Sequence, residues 1–208
     1  MKYTESKMRD VADKPEGFWG RRMLNHMNSR HRELIKWGLA AEDLSQYADV
    51  LDIGCGSGNS LAYMYRKNPH AHYFGIDYSK DSVKAAKRNN KEAAAKGHMK
   101  VMHGDACDLK FPNCTFDLVV SIESFYYWKD HGRAIREISR VLKKNGIAII
   151  VLEANADVSS KEKYEDIQKK LDMMIPGEDD FRRLYEAAGL AADISENGEW
   201  IRAVGTKK

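Results

Sequence analysis

The sequence predicts an α/β fold: a doubly wound, mostly parallel sheet of seven strands, covered by helices in three α/β/α layers, with an antiparallel last strand. Two observations predict it. From Val50 onward, short runs rich in Val, Ile, Leu and aromatic residues alternate with longer helical patterns, which is typical of βαβ units. Near the end, Asn197-Gly198 separates two further runs, and this dipeptide is a strong signal for an antiparallel hairpin.

Seven short runs are the predicted strands. Each is apolar enough to be covered on both faces, as strands of a parallel sheet must be. They span residues 50–53, 72–76, 100–103, 118–122 and 147–152, followed by the hairpin pair 192–195 and 200–204.

Helices are predicted between the strands. Ser79 can cap a helix that has Asp81 in its first turn and ends before Gly97. A later helix leads through Asn145-Gly146 directly into the fifth strand. The predicted helices span residues 79–96, 132–144, 159–174 and 179–188.

Before the sheet, apolar residues spaced three or four apart predict one amphipathic helix of about four turns. Two interpretations stay open for this stripe, which are core packing and a lid across a ligand cleft. The residues are Trp19, Met23, Met27, Arg30 and Leu34, with Trp37 extending the stripe.

A loop with glycine at every second position is the most informative stretch. Dinucleotides require G-x-G-x-x-G, but here the third glycine comes one place early, at Gly58, and Asn59 takes the expected position. The spacing instead suits a ligand without phosphate, whose amino-acid end lies along the loop. The stretch reads Val50-Leu51-Asp52-Ile53-Gly54-Cys55-Gly56-Ser57-Gly58-Asn59.

Two acidic residues follow at the ends of the next two predicted strands. Asp77 ends the second strand, where a carboxylate can accept hydrogen bonds from both hydroxyls of a ribose. Asp105 ends the third strand, where it can receive the exocyclic amine of adenine. Either residue alone is equally well explained as a helix cap or turn former.

These motifs resemble the class I S-adenosylmethionine-dependent methyltransferases. The resemblance is to the type 11 branch, which includes the ubiquinone/menaquinone-biosynthesis methyltransferases, and it implies a Rossmann-like fold. It covers about half the chain, from Val50 to Leu152, and residues 1–49 and 155–175 carry no motif of the group. The matching segments are the glycine loop, Gly75-Ile76-Asp77-Tyr78-Ser79, Gly104-Asp105-Ala106, Leu109-Lys110-Phe111-Pro112, Phe116-Asp117-Leu118-Val119 and Arg140-Val141-Leu142-Lys143-Lys144-Asn145-Gly146.

The resemblance implies S-adenosylmethionine as cofactor and S-adenosylhomocysteine as product. It assigns the methionine part to the glycine loop, the ribose to Asp77, and the adenine to Tyr78, Asp105 and Ala106. The end of the fourth strand is expected to pass beneath the reactive sulfonium. The expected cofactor-binding residues are Asp52, Gly54, Cys55, Gly56, Asp77, Tyr78, Asp105, Ala106, Ser121 and Ile122.

Candidates for a general base follow the fourth strand. Glu123 is the best-placed acid and Tyr126 a candidate proton partner, with pocket lining, capping or packing as the alternatives. The D/N-P-P-Y/F segment of many amino-group methyltransferases is missing here, which argues against base amines and amides as acceptors. His26, His31 and His131 are scattered without metal-site spacing, so no metal is expected.

Composition restricts the class of protein. The 208 residues suit one domain, divided into a helical lid at 1–45, a cofactor-binding half at 46–152 and a C-terminal half at 153–208. Three cysteines without a CxxC pair favour reduced thiols and a cytoplasmic protein. The longest apolar run is too short for a membrane span, and the net charge of +3 includes no basic block for nucleic acid.

The expected function is methyl transfer to a small-molecule acceptor by a monomer or homodimer. One alternative is a nicotinamide-dependent oxidoreductase, which Asn59 disfavours; Tyr63 and Lys67 have the spacing of its catalytic pair but lie just after the glycine loop. The other is a non-catalytic cofactor-binding protein on the same fold.

Overall fold

The computed structural model of the protein describes residues 31–158 and 173–208. Seven strands form one sheet, and all the predicted strands are present with slightly wider bounds. They are β1 (Asp49–Ile53), β2 (His72–Asp77), β3 (Met99–His103), β4 (Phe116–Ile122), β5 (Leu142–Leu152), β6 (Leu190–Asn197) and β7 (Trp200–Lys207).

The helices of the described residues are short and connect the strands. Two further single turns of 3-10 helix lie at Leu44–Gln46 and Phe125–Tyr127. The α-helices are α1 (residues 31–39), α2 (Asn59–Lys67), α3 (Lys80–Asn89), α4 (Lys91–Ala95), α5 (His131–Val141) and α6 (Glu178–Ala187).

The sheet has the strand order β3-β2-β1-β4-β5-β7-β6, in which β7 runs antiparallel to the other six strands. The antiparallel last strand and the hairpin are therefore confirmed. Gly198 has a φ of 62° and Asn197 pairs with Trp200, so the glycine is the first central residue of a two-residue turn. Because the chain leaves β1 to one side and returns through β4 on the other, a crevice opens between their carboxyl ends.

Two hydrophobic cores cover the two faces of the sheet, as the three-layer prediction requires. Along β5, Ile149 and Val151 pack into the core that contains residues of α1 to α4. The alternate residues Ala148 and Ile150 pack into the other core, with residues of α5 and α6. Both faces of the sheet are thus buried at β5, which explains the continuous apolar run of this strand.

The predicted helix at 132–144 is wrong at its C-terminal end. Helix α5 ends at Val141, and Leu142 already pairs with Phe116 of β4. The register then shifts, so that residues 143–146 form a bulge before Ile147 rejoins the ladder. Leu142 already has an extended backbone, and Asn145 has a φ of 63°, which lets the bulge turn.

The predicted helix at 79–96 begins at its expected cap but is broken. Ser79 accepts a hydrogen bond from the backbone N–H of Ser82, and Gly97 has the left-handed φ of a stop residue. The break falls at Asn90, whose side-chain amide donates to the carbonyl oxygens of Gly58 and Ala86. This asparagine ties the glycine loop to α3 instead of continuing the helix.

Most of the predicted N-terminal stripe and residues 159–172 of a predicted helix lie outside the described residues. Two residues of the stripe are described. Leu34 is fully buried, as core packing requires, and Trp37 packs against Trp200 with ring centroids 5.7 Å apart. Helix α1 lies close to the sheet, since a Cβ on Gly38 would come within 2.5 Å of Val151. In the described part of the chain, no helix is long and apolar enough to span a membrane.

Candidate active site

The glycine loop connects β1 to α2 at the crevice. Gly54, Gly56 and Gly58 all have positive φ, at 70°, 54° and 81°, which other residues rarely adopt. The backbone N–H groups of Gly54 and Cys55 both donate to the carbonyl oxygen of Ile76, which joins the loop to the end of β2. The loop therefore has one defined backbone path along the crevice.

The three glycines meet different surroundings. A Cβ on Gly54 would lie 2.2 Å from the Cβ of Ser124, and a Cβ on Gly58 would lie 2.3 Å from the side-chain nitrogen of Asn90. A Cβ on Gly56 would meet nothing within 4 Å. Gly54 and Gly58 are thus needed for packing, whereas Gly56 leaves the loop open to a ligand that approaches the main chain.

Asp77 fastens the loop to the end of β2. Its Oδ2 accepts from the N–H of Gly56 at 2.8 Å, and its Oδ1 accepts from the N–H of Ser79 at 2.8 Å. Burial raises the pKa of the carboxyl group, and these backbone hydrogen bonds oppose that rise. Each carboxylate oxygen still has lone-pair capacity for a ligand hydroxyl.

Asp52 lies beneath the loop rather than on its surface. Its side chain is buried, and it accepts a short hydrogen bond from the hydroxyl of Ser60 in the first turn of α2. Burial raises its pKa to about 7, with the nearby Asp77 carboxylate as a lesser cause. The position makes Asp52 a support of the loop, which sequence reasoning alone did not distinguish from a direct ligand contact.

Tyr78 and Asp105 lie beside the ends of β2 and β3. The Tyr78 side chain is 46% exposed, its ring centroid is 5.8 Å from that of His103, and the Lys129 ammonium lies 5.5 Å from the ring centre. Asp105 Oδ1 accepts from the N–H of Cys107 at 2.8 Å, while Ala106 is buried below. An exposed aromatic face of this kind can hold a flat heterocycle. Together with the loop and Asp77, these residues form what we call the glycine-loop side.

The other side of the crevice, which we call the Glu123 side, begins where β4 ends. Ser121 is buried and its hydroxyl lies 2.7 Å from that of Ser124, which donates to the carbonyl oxygen of Ile53. Glu123 has a φ of 58°, so the backbone turns sharply there. The turn aims the Glu123 side chain back across the end of β5.

Glu123 and Tyr126 form a connected pair. Tyr126 donates its phenol proton to Glu123 Oε1 at 3.0 Å and accepts from the N–H of Ala154 at 3.0 Å. The N–H of Glu153 also donates to Glu123 Oε1. Burial, and next the Glu123 carboxylate, raise the pKa of Tyr126 well above its ordinary value, so the phenol stays protonated.

His31, on α1, joins this pair and was missed by sequence reasoning as a site residue. Its Nε2 lies 3.7 Å from Glu123 Oε2. His31, Glu123 and Glu153 each place one ligand-type atom within 4.8 Å of the others. No sequence signal could have found this cluster, because its members come from three distant segments. Within one pocket, His31 and Glu123 face Ile35, Ile122 and residues of the glycine loop and the start of α2, namely Gly54, Cys55, Gly56, Ser57, Asn59 and Ser60.

The fold and this crevice define a class of α/β proteins that bind a nucleoside-type ligand at the carboxyl ends of β1 to β4. Residues 51–150 match the family model described as a methyltransferase domain. This match and the named relatives support a class I S-adenosylmethionine-dependent methyltransferase, of the branch that contains the menaquinone and hydroquinone enzymes. S-adenosylmethionine is the cofactor of this family.

Two curated relatives and one solved structure illustrate the similarity. The chain is 30% identical over 213 residues to 2-methyl-6-phytyl-1,4-hydroquinone methyltransferase 2 of Oryza sativa, with 96% of this chain and 58% of the relative covered. It is 27% identical over 165 residues to a demethylmenaquinone methyltransferase of Staphylococcus aureus, with 67% and 66% covered. Geranyl diphosphate C-methyltransferase from Streptomyces coelicolor shares the fold, with a TM-score of 0.74, 16% identity, and 96% of this chain and 88% of that chain covered.

The chain spans about three fifths of the length of the first two curated relatives, at 61% and 58%. The residues of the site nevertheless fit the family's cofactor. Gly56 leaves open space above the main chain for the amino-acid end, and Asp77 offers two carboxylate oxygens where a ribose would lie. The loop also lacks the third glycine position that a pyrophosphate requires.

Proposed function

We propose that this chain binds S-adenosylmethionine on the glycine-loop side and transfers its methyl group to a small-molecule acceptor held on the Glu123 side. The observation that carries the proposal is Asp77, a partly buried carboxylate that accepts a hydrogen bond from the backbone N–H of the open Gly56. A ligand that lies on the loop at Gly56 therefore also lies beside the Asp77 carboxylate. The names of the relatives, which act on hydroquinones and menaquinone precursors, support a small-molecule acceptor.

We assign a role to each expected cofactor residue. Gly54, Cys55 and Gly56 line the methionine part through their backbone, and Asp52 acts indirectly by holding α2 against the loop. Asp77 accepts the ribose hydroxyls. Five further residues complete the proposed contacts. The first three lie around the adenine, and the last two, which end β4, lie beneath the sulfonium: Tyr78, Asp105 and Ala106, then Ser121 and Ile122.

When bound, the cofactor supplies a methyl group that its sulfonium has already activated. The chain has to align the accepting atom with that methyl group and keep water out, which together contribute up to about 7–11 kcal/mol for well-aligned reactants. The buried end of β4 and the fixed turn at Glu123 provide a rigid floor for this alignment. Glu123 and Tyr126 order the acceptor side of the crevice by holding the ends of β4 and β5 together.

We further propose a cytoplasmic monomer or homodimer that binds neither nucleic acid nor a metal ion. Support comes from the net charge of only +3, with acidic and basic residues interleaved along the sequence. All three cysteines are free thiols, and Cys55 and Cys107 are buried, as in proteins of reducing compartments. Light scattering over a range of protein concentrations will report the oligomeric state.

Isothermal titration calorimetry tests the cofactor proposal. We expect micromolar binding of S-adenosylhomocysteine and none of NAD(H) or NADP(H). Asp77→Ala should weaken the binding by about 1–3 kcal/mol, because it removes the acceptor of the ribose hydroxyls. The matched control is Asp193→Ala, which removes an exposed carboxylate from β6 at the far edge of the sheet. Binding of a nicotinamide dinucleotide instead, or equal affinities for both variants, would contradict the proposal.

A further inference from the structure

Glu123 Oε1 and the Tyr126 phenol are both engaged in holding the structure together. Glu123 Oε1 accepts from the Tyr126 phenol and from the N–H of Glu153, and the phenol oxygen itself accepts from the N–H of Ala154. A carboxylate oxygen with two donors is a poor proton acceptor, and a phenol that donates to a carboxylate does not give its proton to a substrate. Glu123 Oε1 and the Tyr126 phenol are therefore poorly suited to take a proton from an acceptor.

His31 is placed to take that proton. It lies on α1, across the same pocket from the glycine loop, and its side chain is 17% exposed, so that it is neither sealed in the core nor free in solvent. Its Nε2 faces the second carboxylate oxygen of Glu123, at 3.7 Å. Distances of this size between catalytic partners commonly shorten when the substrate binds.

We propose that His31 is the general base for acceptors with an acidic hydroxyl, such as phenols and hydroquinones, and that Glu123 is its positioning residue. This inference rests on the proposed methyl transfer. The His31 imidazole takes the hydroxyl proton while the electron pair left on the acceptor oxygen forms the bond to the methyl carbon. The pair of the broken carbon–sulfur bond goes to sulfur, and the imidazolium later returns the proton to water.

The charges that face His31 favour this step. Among the described residues, the Glu123 and Glu153 carboxylates lie near the imidazole, the Tyr126 phenol lies behind Glu123, and the Cys55 thiol lines the same pocket. Both carboxylates stabilise the positive charge that forms on the imidazole when it accepts a proton. An acceptor that is already ionised at neutral pH, such as a carboxylate, does not need the base. A general base at His31 therefore favours acceptors that carry a hydroxyl proton.

The first test measures turnover of phenols, hydroquinones and carboxylic acids, followed by production of S-adenosylhomocysteine. We expect His31→Gln to lower kcat/KM for the hydroxyl acceptors by about 100-fold or more and to leave S-adenosylhomocysteine affinity unchanged within about twofold. The acid limb of the pH–rate profile should disappear in the variant. Added imidazole should partly restore the rate of His31→Gly. The matched control, His70→Gln, changes an exposed histidine after α2 and should behave as the wild type.

The second test does not depend on finding an acceptor. Nitrogen NMR of the complex with S-adenosylhomocysteine should show His31 titrating between about pH 5 and 8, and Glu123→Gln should lower the midpoint by about one pH unit. An unchanged rate in His31→Gln, a His31 that does not titrate in this range, or activity abolished by EDTA and restored by Mn²⁺ would overturn the inference. Tight cofactor binding without turnover of any acceptor would instead refute the methyl transfer itself.

Discussion

The glycine-loop side and the Glu123 side of the crevice are built in different ways. On the glycine-loop side, backbone conformation and backbone hydrogen bonds fix the geometry, and Gly54 and Asp77 are only 23 positions apart. On the Glu123 side, side chains from α1 and from the segments after β4 and β5 meet, and His31 lies 122 positions before Glu153. The first side can be specified by a short motif, whereas the second depends on the whole fold.

The two sides are in close contact at Gly54. Gly54 of the loop lies against Ser124 of the Glu123 side, and a Cβ at this glycine would come within 2.2 Å of the serine Cβ. The Ser124 hydroxyl also donates to the carbonyl oxygen of Ile53, directly before the loop. A change at this contact should therefore disturb both sides at once.

The largest expected effect is that of Gly54→Ala. The new side chain combines a left-handed backbone conformation, which costs about 1–2 kcal/mol, with overpacking against Ser124, which costs about 1–3 kcal/mol. We expect the free energy of unfolding to fall by about 2–5 kcal/mol in urea titrations. Gly56→Ala is the matched control, because its φ is also positive but its Cβ meets open space, and it should cost only about 1–2 kcal/mol.

A double variant separates the two causes. Gly54→Ala combined with Ser124→Gly removes the serine side chain that the new Cβ meets, so we expect it to recover part of the lost stability beyond additivity. Equal losses of stability for Gly54→Ala and Gly56→Ala would mean that the glycine-loop side and the Glu123 side are not packed against each other at Gly54.

The next effect concerns pH and is confined to the glycine-loop side. The pKa of buried Asp52 is raised to about 7, so the folded protein binds a proton that the unfolded chain, with an ordinary pKa of about 4, has lost. The contribution of Asp52 to the free energy of unfolding should therefore be highest below about pH 4 and should decline as the pH rises towards 7. Relative to Asp52→Asn, the wild type should lose about 2 kcal/mol between pH 5 and pH 7 in urea unfolding experiments.

The variant also serves as the control for other groups that titrate. Burial raises the pKa of Asp77 as well, and the wild type and Asp52→Asn share that contribution from burial. Their difference in stability reports Asp52 together with its coupling to Asp77. Asparagine keeps a carbonyl oxygen that can accept from the Ser60 hydroxyl. Parallel stability curves for the two proteins over this pH range would show that the carboxyl group is ionised in the folded state.

The difference between the two sides also explains what the sequence could predict. The glycine spacing, Asp77 and Asp105 are local signals at strand ends, and the structure brings them together at one crevice, as a parallel sheet requires. His31 carried no such signal, because a lone histidine on an amphipathic helix has no pattern that links it to Glu123. Its role depends on the packing of α1 against the sheet, which Gly38 permits.

Two local details of the fold were not predicted from the sequence, for a related reason. The break in the helix after Asn89 arises because Asn90 uses its side chain to bond the carbonyl oxygen of Gly58, a contact 32 positions away. The early end of α5 arises because Leu142 pairs with Phe116 of β4. In both places a tertiary contact overrides helical propensity, and propensity is all that a short stretch of sequence shows.

The smallest expected effect tests the Glu123 side alone. Tyr126→Phe keeps the ring but removes the phenol that donates to Glu123 and accepts from the buried N–H of Ala154. We expect a loss of about 1–2 kcal/mol in the free energy of unfolding, because that N–H loses its partner. S-adenosylhomocysteine affinity should stay unchanged within about twofold in calorimetry, since the glycine-loop side does not depend on this hydroxyl.

Tyr65→Phe is the matched control, because Tyr65 is half-buried on α2, where its ring packs edge-on against Tyr73. It should change stability less than Tyr126→Phe does. If Tyr126→Phe weakened cofactor binding as strongly as Asp77→Ala, the two sides would be energetically coupled well beyond their contact at Gly54. The distinction between a side specified by backbone and a side specified by distant side chains would then describe only how the crevice is encoded, and not how it works.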